Sequence, residues 1–123
     1  MIKQLEYQLP WPPSLNRAWR YVDGRVLLSA LGRNYYVKIV NALPKGPTKP
    51  LKGRLRVTYL LHPPEALTGR WDIANREKVL SDALTKAGVW ADDSQIDVML
   101  IERREIRTTL GSVIVKIEEG KFA

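Results

Sequence analysis

The element pattern predicts an α+β fold: a single domain over residues 1–123, in which a mixed or mostly antiparallel sheet carries two packed helices. Three observations carry this reading. Strand-like alternation recurs in well-separated segments, with Leu5, Tyr7 and Leu9 near the start and Leu55, Val57, Tyr59 and Leu61 near the middle. A helical stripe of Leu80, Ala83, Leu84 and Ala87 recurs at i, i+3, i+4 and i+7. Finally, 123 residues, 45% of them hydrophobic, suit one core rather than two.

Taken in order, residues 2–9 form a half-buried strand that Pro10, Pro12 and Pro13 end. Residues 20–22 and 25–28 flank Asp23-Gly24, a pair that tolerates the positive φ angles of a type I′ turn, and so predict a hairpin. Ser29 caps a helix running to about residue 43, with Tyr36, Val40 and Leu43 at helical spacing and Gly32 as a weakness inside it. Residues 44–52, rich in proline and lysine, read as a basic connection. Residues 54–61 form a strand that His62-Pro63-Pro64 stops, and a loop follows to Trp71. A second helix spans residues 73–87, with Gly88 as its stop. Strands at 96–105 and 112–118 complete the set, and Gly111 marks the turn between them.

Composition excludes several chemistries. With no cysteine there is no disulfide, thiolate nucleophile or iron–sulfur centre, and a lone histidine, His62, cannot build a multi-histidine metal site. Its place beside two prolines suits a strand end. No apolar run approaches the roughly 18 residues needed to span a bilayer, and no secretory pattern opens the chain. A soluble cytoplasmic protein is the expectation. With 20 Lys plus Arg against 13 Asp plus Glu, the net charge is +7. The sequence pI near 9.9 implies a field that attracts polyanions, nucleic acid foremost.

Carboxylates concentrate around the second helix, at Asp72 before it and at Asp92 and Asp93 after it. Oxygen-only ligand sets suit Mg²⁺ or Mn²⁺, and on a basic chain they point to metal-assisted phosphodiester hydrolysis. Asn75, Lys78 and Asp82 share another face of this helix, and Lys78 is placed to balance charge on a phosphate. Plainer readings stand beside these. Asp72 has the type and position of a helix N-cap, Asp92-Asp93 is an ordinary turn composition, and Lys78 with Asp82 makes a routine i, i+4 surface pair. Of the tryptophans, more often core or interface, Trp71 is the best candidate for stacking on a base. Arg17, Arg20, Arg103, Arg104 and Arg107 read equally as phosphate contacts or as a solvated face.

Three segments then resemble one family: Leu-Pro-Trp-Pro-Pro-Ser at 9–14 with Asn16-Arg17, Gly24-Arg25 with Ser29, and the whole stretch from Trp71 to Gln95. Together they resemble the RusA-type Holliday junction resolvases, small endonucleases of bacteria, phages and prophages. The resemblance implies a homodimer that nicks four-way junction DNA symmetrically with Mg²⁺ or Mn²⁺ and no small-molecule cofactor. Residue by residue it implies metal binding at Asp72, Asp92 and Asp93, and catalytic roles for Asp72, Lys78 and Asp93. Asn75 and Asp82 would support them, and Arg17, Arg20, Arg70, Trp71 and Arg76 would contact DNA. The symmetry also has a physical side, since two equivalent cuts are most simply made by two copies about a matching axis.

One position departs from the family pattern Asp-x-Asp-Asn: here it reads Asp72-Ile73-Ala74-Asn75, with a methyl group where a second carboxylate belongs. Alanine supplies no metal oxygen, yet it is an excellent helix former, so the fold should survive while cleavage is impaired. The departure fits a natural member with weakened cleavage or a chain altered to trap a junction. A non-catalytic DNA or RNA binding module with the same fold is the alternative function.

Overall fold

A computed structural model describes residues 3–44 and 49–122. The elements run β1 (Lys3–Pro10), α1 (Leu15–Ala18), β2 (Trp19–Val22), β3 (Arg25–Leu28), α2 (Ala30–Ala42), β4 (Arg54–His62), α3 (Ala74–Lys86), β5 (Ile96–Arg103) and β6 (Ser112–Gly120). A 3-10 turn at Asp93–Gln95 leads into β5. Four strands form a mixed sheet in the order β1-β6-β4-β5, and β2 and β3 form a separate hairpin.

Alternation places the core. Leu55, Val57, Tyr59 and Leu61 of β4 and Val113, Val115 and Ile117 of β6 are all buried on one face of the sheet. The helices cover that face. Val79, Leu80, Ala83 and Leu84 of α3 and Tyr35 and Ile39 of α2 close the core above the strands. Two hydroxyls tie the layers together, Tyr59 with Ser81 at 2.7 Å and Tyr35 donating to the Pro10 carbonyl at 2.8 Å. On the opposite face Arg56 pairs with Glu118 at 2.7 Å and lies over Phe122.

Strands β4 and β5 are parallel, as a strand–helix–strand crossover through α3 requires. The last two strands are neighbours in sequence but not in space, because β4 lies between them and pairs antiparallel with β6. Gly111 therefore ends a crossing connection rather than a tight hairpin.

The hairpin turn is as expected, with positive φ at Asp23 (50°) and Gly24 (76°). Ser29 caps α2, its hydroxyl accepting from the Gly32 amide at 3.1 Å. Gly32, a weakness by helix propensity, is required by packing: a Cβ there would lie 2.5 Å from the Ala18 carbonyl oxygen and 2.7 Å from the Leu28 side chain. His62 is the buried end of β4, its Nδ1 within 2.9 Å of the Glu105 carbonyl oxygen. Residue 2 of the first expected strand and residues 45–48 of the basic connection lie outside the described residues. Among the described residues no helix is long and apolar enough to cross a membrane.

Candidate active site

The carboxylates occupy the two poles of the β4–α3–β5 unit. At the carboxyl end of α3, Asp93 Oδ1 accepts from the Thr85 hydroxyl and from the Trp90 indole Nε1 at 2.9 Å. Trp90 Nε1 also reaches Thr85 Oγ1 at 2.7 Å, closing a triangle of three side chains. Trp90 itself is fully buried, so the triangle is anchored in the core. Asp92 begins the 3-10 turn as a capping box: Oδ1 accepts from the Ser94 amide and Gln95 Oε1 accepts from the Asp92 amide, both at 2.8 Å. The bond from Ser94 holds the Asp92 carboxyl below the usual carboxylate range.

A charged group extends from this pole along α3. Lys78 Nζ donates to Asp82 Oδ1 at 3.0 Å, and that bond first, with the fields of Asp82, Asp93 and Glu77 behind it, raises the lysine pKa. Burial pushes the Glu77 carboxyl up; Lys78 pulls against it, while Asp93 and Asp82 add to the rise. Tyr36 of α2 feels the same three charges, Asp82, Lys78 and Asp93, on top of its partial burial. The surface pair expected from spacing is therefore real, and it belongs to the electrostatic neighbourhood of Asp93. A shallow apolar cleft next to it is lined by Leu15, Trp19, Tyr21 and Val26, with Lys78 and Asp82 at its edge.

The opposite pole holds Asp72. Its expected capping role falls to the backbone: its carbonyl accepts from the Asn75 amide at 3.2 Å, Ile73 takes the N-cap position, and no side chain caps the helix. The Asp72 carboxylate is left exposed, as is Ala74, the first residue of α3. Next to it stands a ladder of cations and rings. Arg103 of β5 lies 4.0 Å over Trp71 and donates to the Trp71 carbonyl at 2.7 Å. Trp71 meets Trp11 edge to face at 5.2 Å, and Arg76 lies over the Trp11 ring at 5.4 Å.

One chain does not bring the two poles together. Ala74 and Thr85 are separated by roughly 16 Å of helix. Arg103, which holds Trp71, and Ile96, which follows the Asp93 turn, stand at the two ends of β5, roughly 23 Å apart. Among the described residues no three carboxylate or histidine side chains are grouped to hold a metal ion. The expected ligand set of Asp72, Asp92 and Asp93 therefore does not fit a divalent cation within a single chain. The cause is topological: a parallel crossover puts the start and end of its helix at opposite ends of the strands.

Other expected residues are placed as follows. Arg17, Arg20 and Arg70 are exposed, Asn75 and Arg76 half-buried. Arg104 pairs with Glu102 at 2.7 Å and Arg107 with Glu105 at 3.1 Å, a solvated face with its own counter-charges. Tyr35 and Trp90 are buried inside the chain. Sequence reasoning missed Thr85 as the anchor of Asp93; its signal was a hydroxyl at the penultimate residue of the helix, followed shortly by a tryptophan and an acid.

The chain matches the family model described as endodeoxyribonuclease RusA over residues 10–118, a span that contains both poles. It is 39% identical over 93 residues, 72% of each chain, to the crossover junction endodeoxyribonucleases RusA of Escherichia coli (strain K12) and Shigella sonnei (strain Ss046). It is 40% identical over the same length to that of Enterobacteria phage 82. This chain belongs to the RusA family of endodeoxyribonucleases.

Proposed function

We propose that this chain is a Holliday junction resolvase scaffold that binds four-way DNA junctions as a homodimer and whose cleavage is impaired at Ala74. The observation that carries the reading is the family match over residues 10–118, a span that includes Asp72, Lys78 and Asp93, on a chain of net charge +7. The separation of the poles supports the dimer. Side chains that one copy holds at opposite ends of α3 can share a Mg²⁺ or Mn²⁺ ion only if Asp72 of one copy meets Asp93 of another. Two copies about a two-fold axis would then present two equivalent sites to a two-fold junction.

Within each copy the roles divide. Thr85 and Trp90 hold one Asp93 oxygen and leave the other without a protein donor among the described residues. Lys78, kept charged by Asp82, supplies a cation for the developing charge on a phosphate. The exposed cations Arg17, Arg20 and Arg70 contribute to DNA affinity, with Trp71 and Arg76 at the Asp72 pole. The exposed first position of α3 accepts a carboxylate without repacking, and the positive helix end favours one. The Ala74→Asp variant is therefore expected to nick a synthetic four-way junction symmetrically with Mg²⁺ or Mn²⁺, while the chain as it stands binds without cutting. The absence of cleavage by either would favour the second reading, which the missing carboxylate itself supports: a DNA or RNA binding module. Gel filtration should report twice the 14.1 kDa chain mass; a monomer at micromolar concentration contradicts symmetric resolution.

A further inference from the structure

A cleft lies beside the Asp72 pole. Between the turn after β1, helix α2 and the loop after β4 opens a cleft of about 500 Å³, lined by Ser14, Arg17, Asn34, Lys38 and Arg76 among others and by no carboxylate. Arg76 is the unusual member. Its Nη1 donates to the Pro12 carbonyl at 2.8 Å, its guanidinium lies over Trp11, and its Nε is buried with no acceptor among the described residues. Burial works against its charge, and Arg17 adds repulsion.

Arg54, Arg56, Arg104 and Arg107 each have a carboxylate partner. Of the arginines without one among the described residues, Arg76 alone is half-buried, the others being exposed, and the cleft sets Arg17 and Lys38, likewise unpaired, beside it. Gathering like charges around a half-buried guanidinium is costly unless an anion completes the site. Uncommitted donors accompany them: the Ser14 hydroxyl makes no capping bond, and Asn34 is exposed on α2. Tyr35, by contrast, spends its hydroxyl on Pro10.

We propose that this cleft is a phosphodiester seat, in which Arg17, Lys38 and Arg76 hold one backbone phosphate and Ser14 and Asn34 donate from the rim. Its assignment to DNA rests on the junction-endonuclease reading; its assignment to a phosphate does not. The ladder from Arg76 through Trp11 to Trp71 joins the seat to the residue before Asp72. A strand gripped there is thus registered against the Asp72 pole, not against Asp93 at the far end of α3.

Two measurements on the full chain test this. In the first, arginine side-chain NMR follows a titration with inorganic phosphate at constant ionic strength; the Arg17 and Arg76 signals should move, and the movement should be lost in Lys38→Gln. In the second, the salt dependence of binding to a synthetic four-way junction is compared for Arg17→Gln, Lys38→Gln, Arg76→Gln and, on the opposite face of the sheet, Lys116→Gln. Each cleft variant should lower the slope of log K against log salt by about 1, and Lys116→Gln should leave it unchanged. Arg17 and Lys38 are exposed, so their variants keep the test valid should Arg76→Gln fold poorly. Phosphate shifts without any change of junction slope would overturn the DNA assignment in favour of a free-anion site. Phosphate shifts in a chain that binds no junction would sink the resolvase reading and leave the anion seat standing. Unmoved signals together with unmoved slopes would overturn the seat itself.

Discussion

The two ends of α3 are built in opposite ways. At its carboxyl end Asp93 is fixed by Thr85 and the buried Trp90, and Asp92 is spent on a capping box. At its amino end Asp72 has no side-chain bond holding it among the described residues, Ala74 is a bare methyl, and the order comes from a ladder of tryptophans and arginines alongside. The first pole is complete within the chain; the second presents its carboxylate outward. That difference shows that a shared helix does not make a shared site; in the function proposed above, a second copy brings the opposite ends together.

The sharpest way to break the comparison is to restore the missing carboxylate. Ala74→Asp should raise junction nicking by at least about 100-fold while changing stability by less than about 0.5 kcal/mol, since the position is exposed. Quantified nicks on a labelled junction, with thermal unfolding as the control, check both. Next in size is the charge between the poles. Lys78→Ala in that background should cut nicking roughly 100-fold and leave junction affinity within about 3-fold; equal loss of both would make Lys78 a binding contact.

A stability comparison sharpens the contrast further. Thr85→Val and Trp90→Phe, which strip donors from Asp93, should each cost about 1 to 2 kcal/mol in urea unfolding. Asp72→Asn should cost less than about 0.5 kcal/mol, because its side chain holds nothing in place. Equal penalties at the two ends would erase the distinction.

The smallest effect is in acid. Asp97, bonded to Arg54, and Glu118, bonded to Arg56, have folded pKa values held below the ordinary 3.8 and 4.5. A depressed carboxyl contributes stability above its unfolded pKa and loses it as pH falls through the folded one. Unfolding midpoints should therefore be steady near neutrality and decline below about pH 4.5, with Arg56→Gln flattening that decline.

Much of this was readable in the sequence because it depends on local periodicity and local turn chemistry. The buried stripe of α3, the Asp23-Gly24 turn, the Ser29 cap and the Lys78–Asp82 pair all follow from residues a few positions apart. What sequence could not deliver depends on pairing across the chain. Nothing in residues 96–118 shows that β4 inserts between the last two strands, or that β5 pairs parallel with β4, the crossover that places Asp72 and Asp93 at opposite ends of α3. Gly32 illustrates the same limit: propensity marked it as a flaw, and only contact with Ala18 and Leu28 shows the need for it. Asp72 likewise had the residue type of a cap, yet the backbone supplies the cap bond and frees the carboxylate.

The most direct measurement mixes two crippled proteins. Asp72→Asn and Asp93→Asn are each introduced into the Ala74→Asp background, and the two are combined, unfolded and refolded together, and assayed on a four-way junction. If the poles meet between copies, mixed dimers regain one intact site, and cleavage returns as nicks in a single strand although neither protein cuts alone. A mixture as silent as its components, beside an active Ala74→Asp parent, would contradict the account.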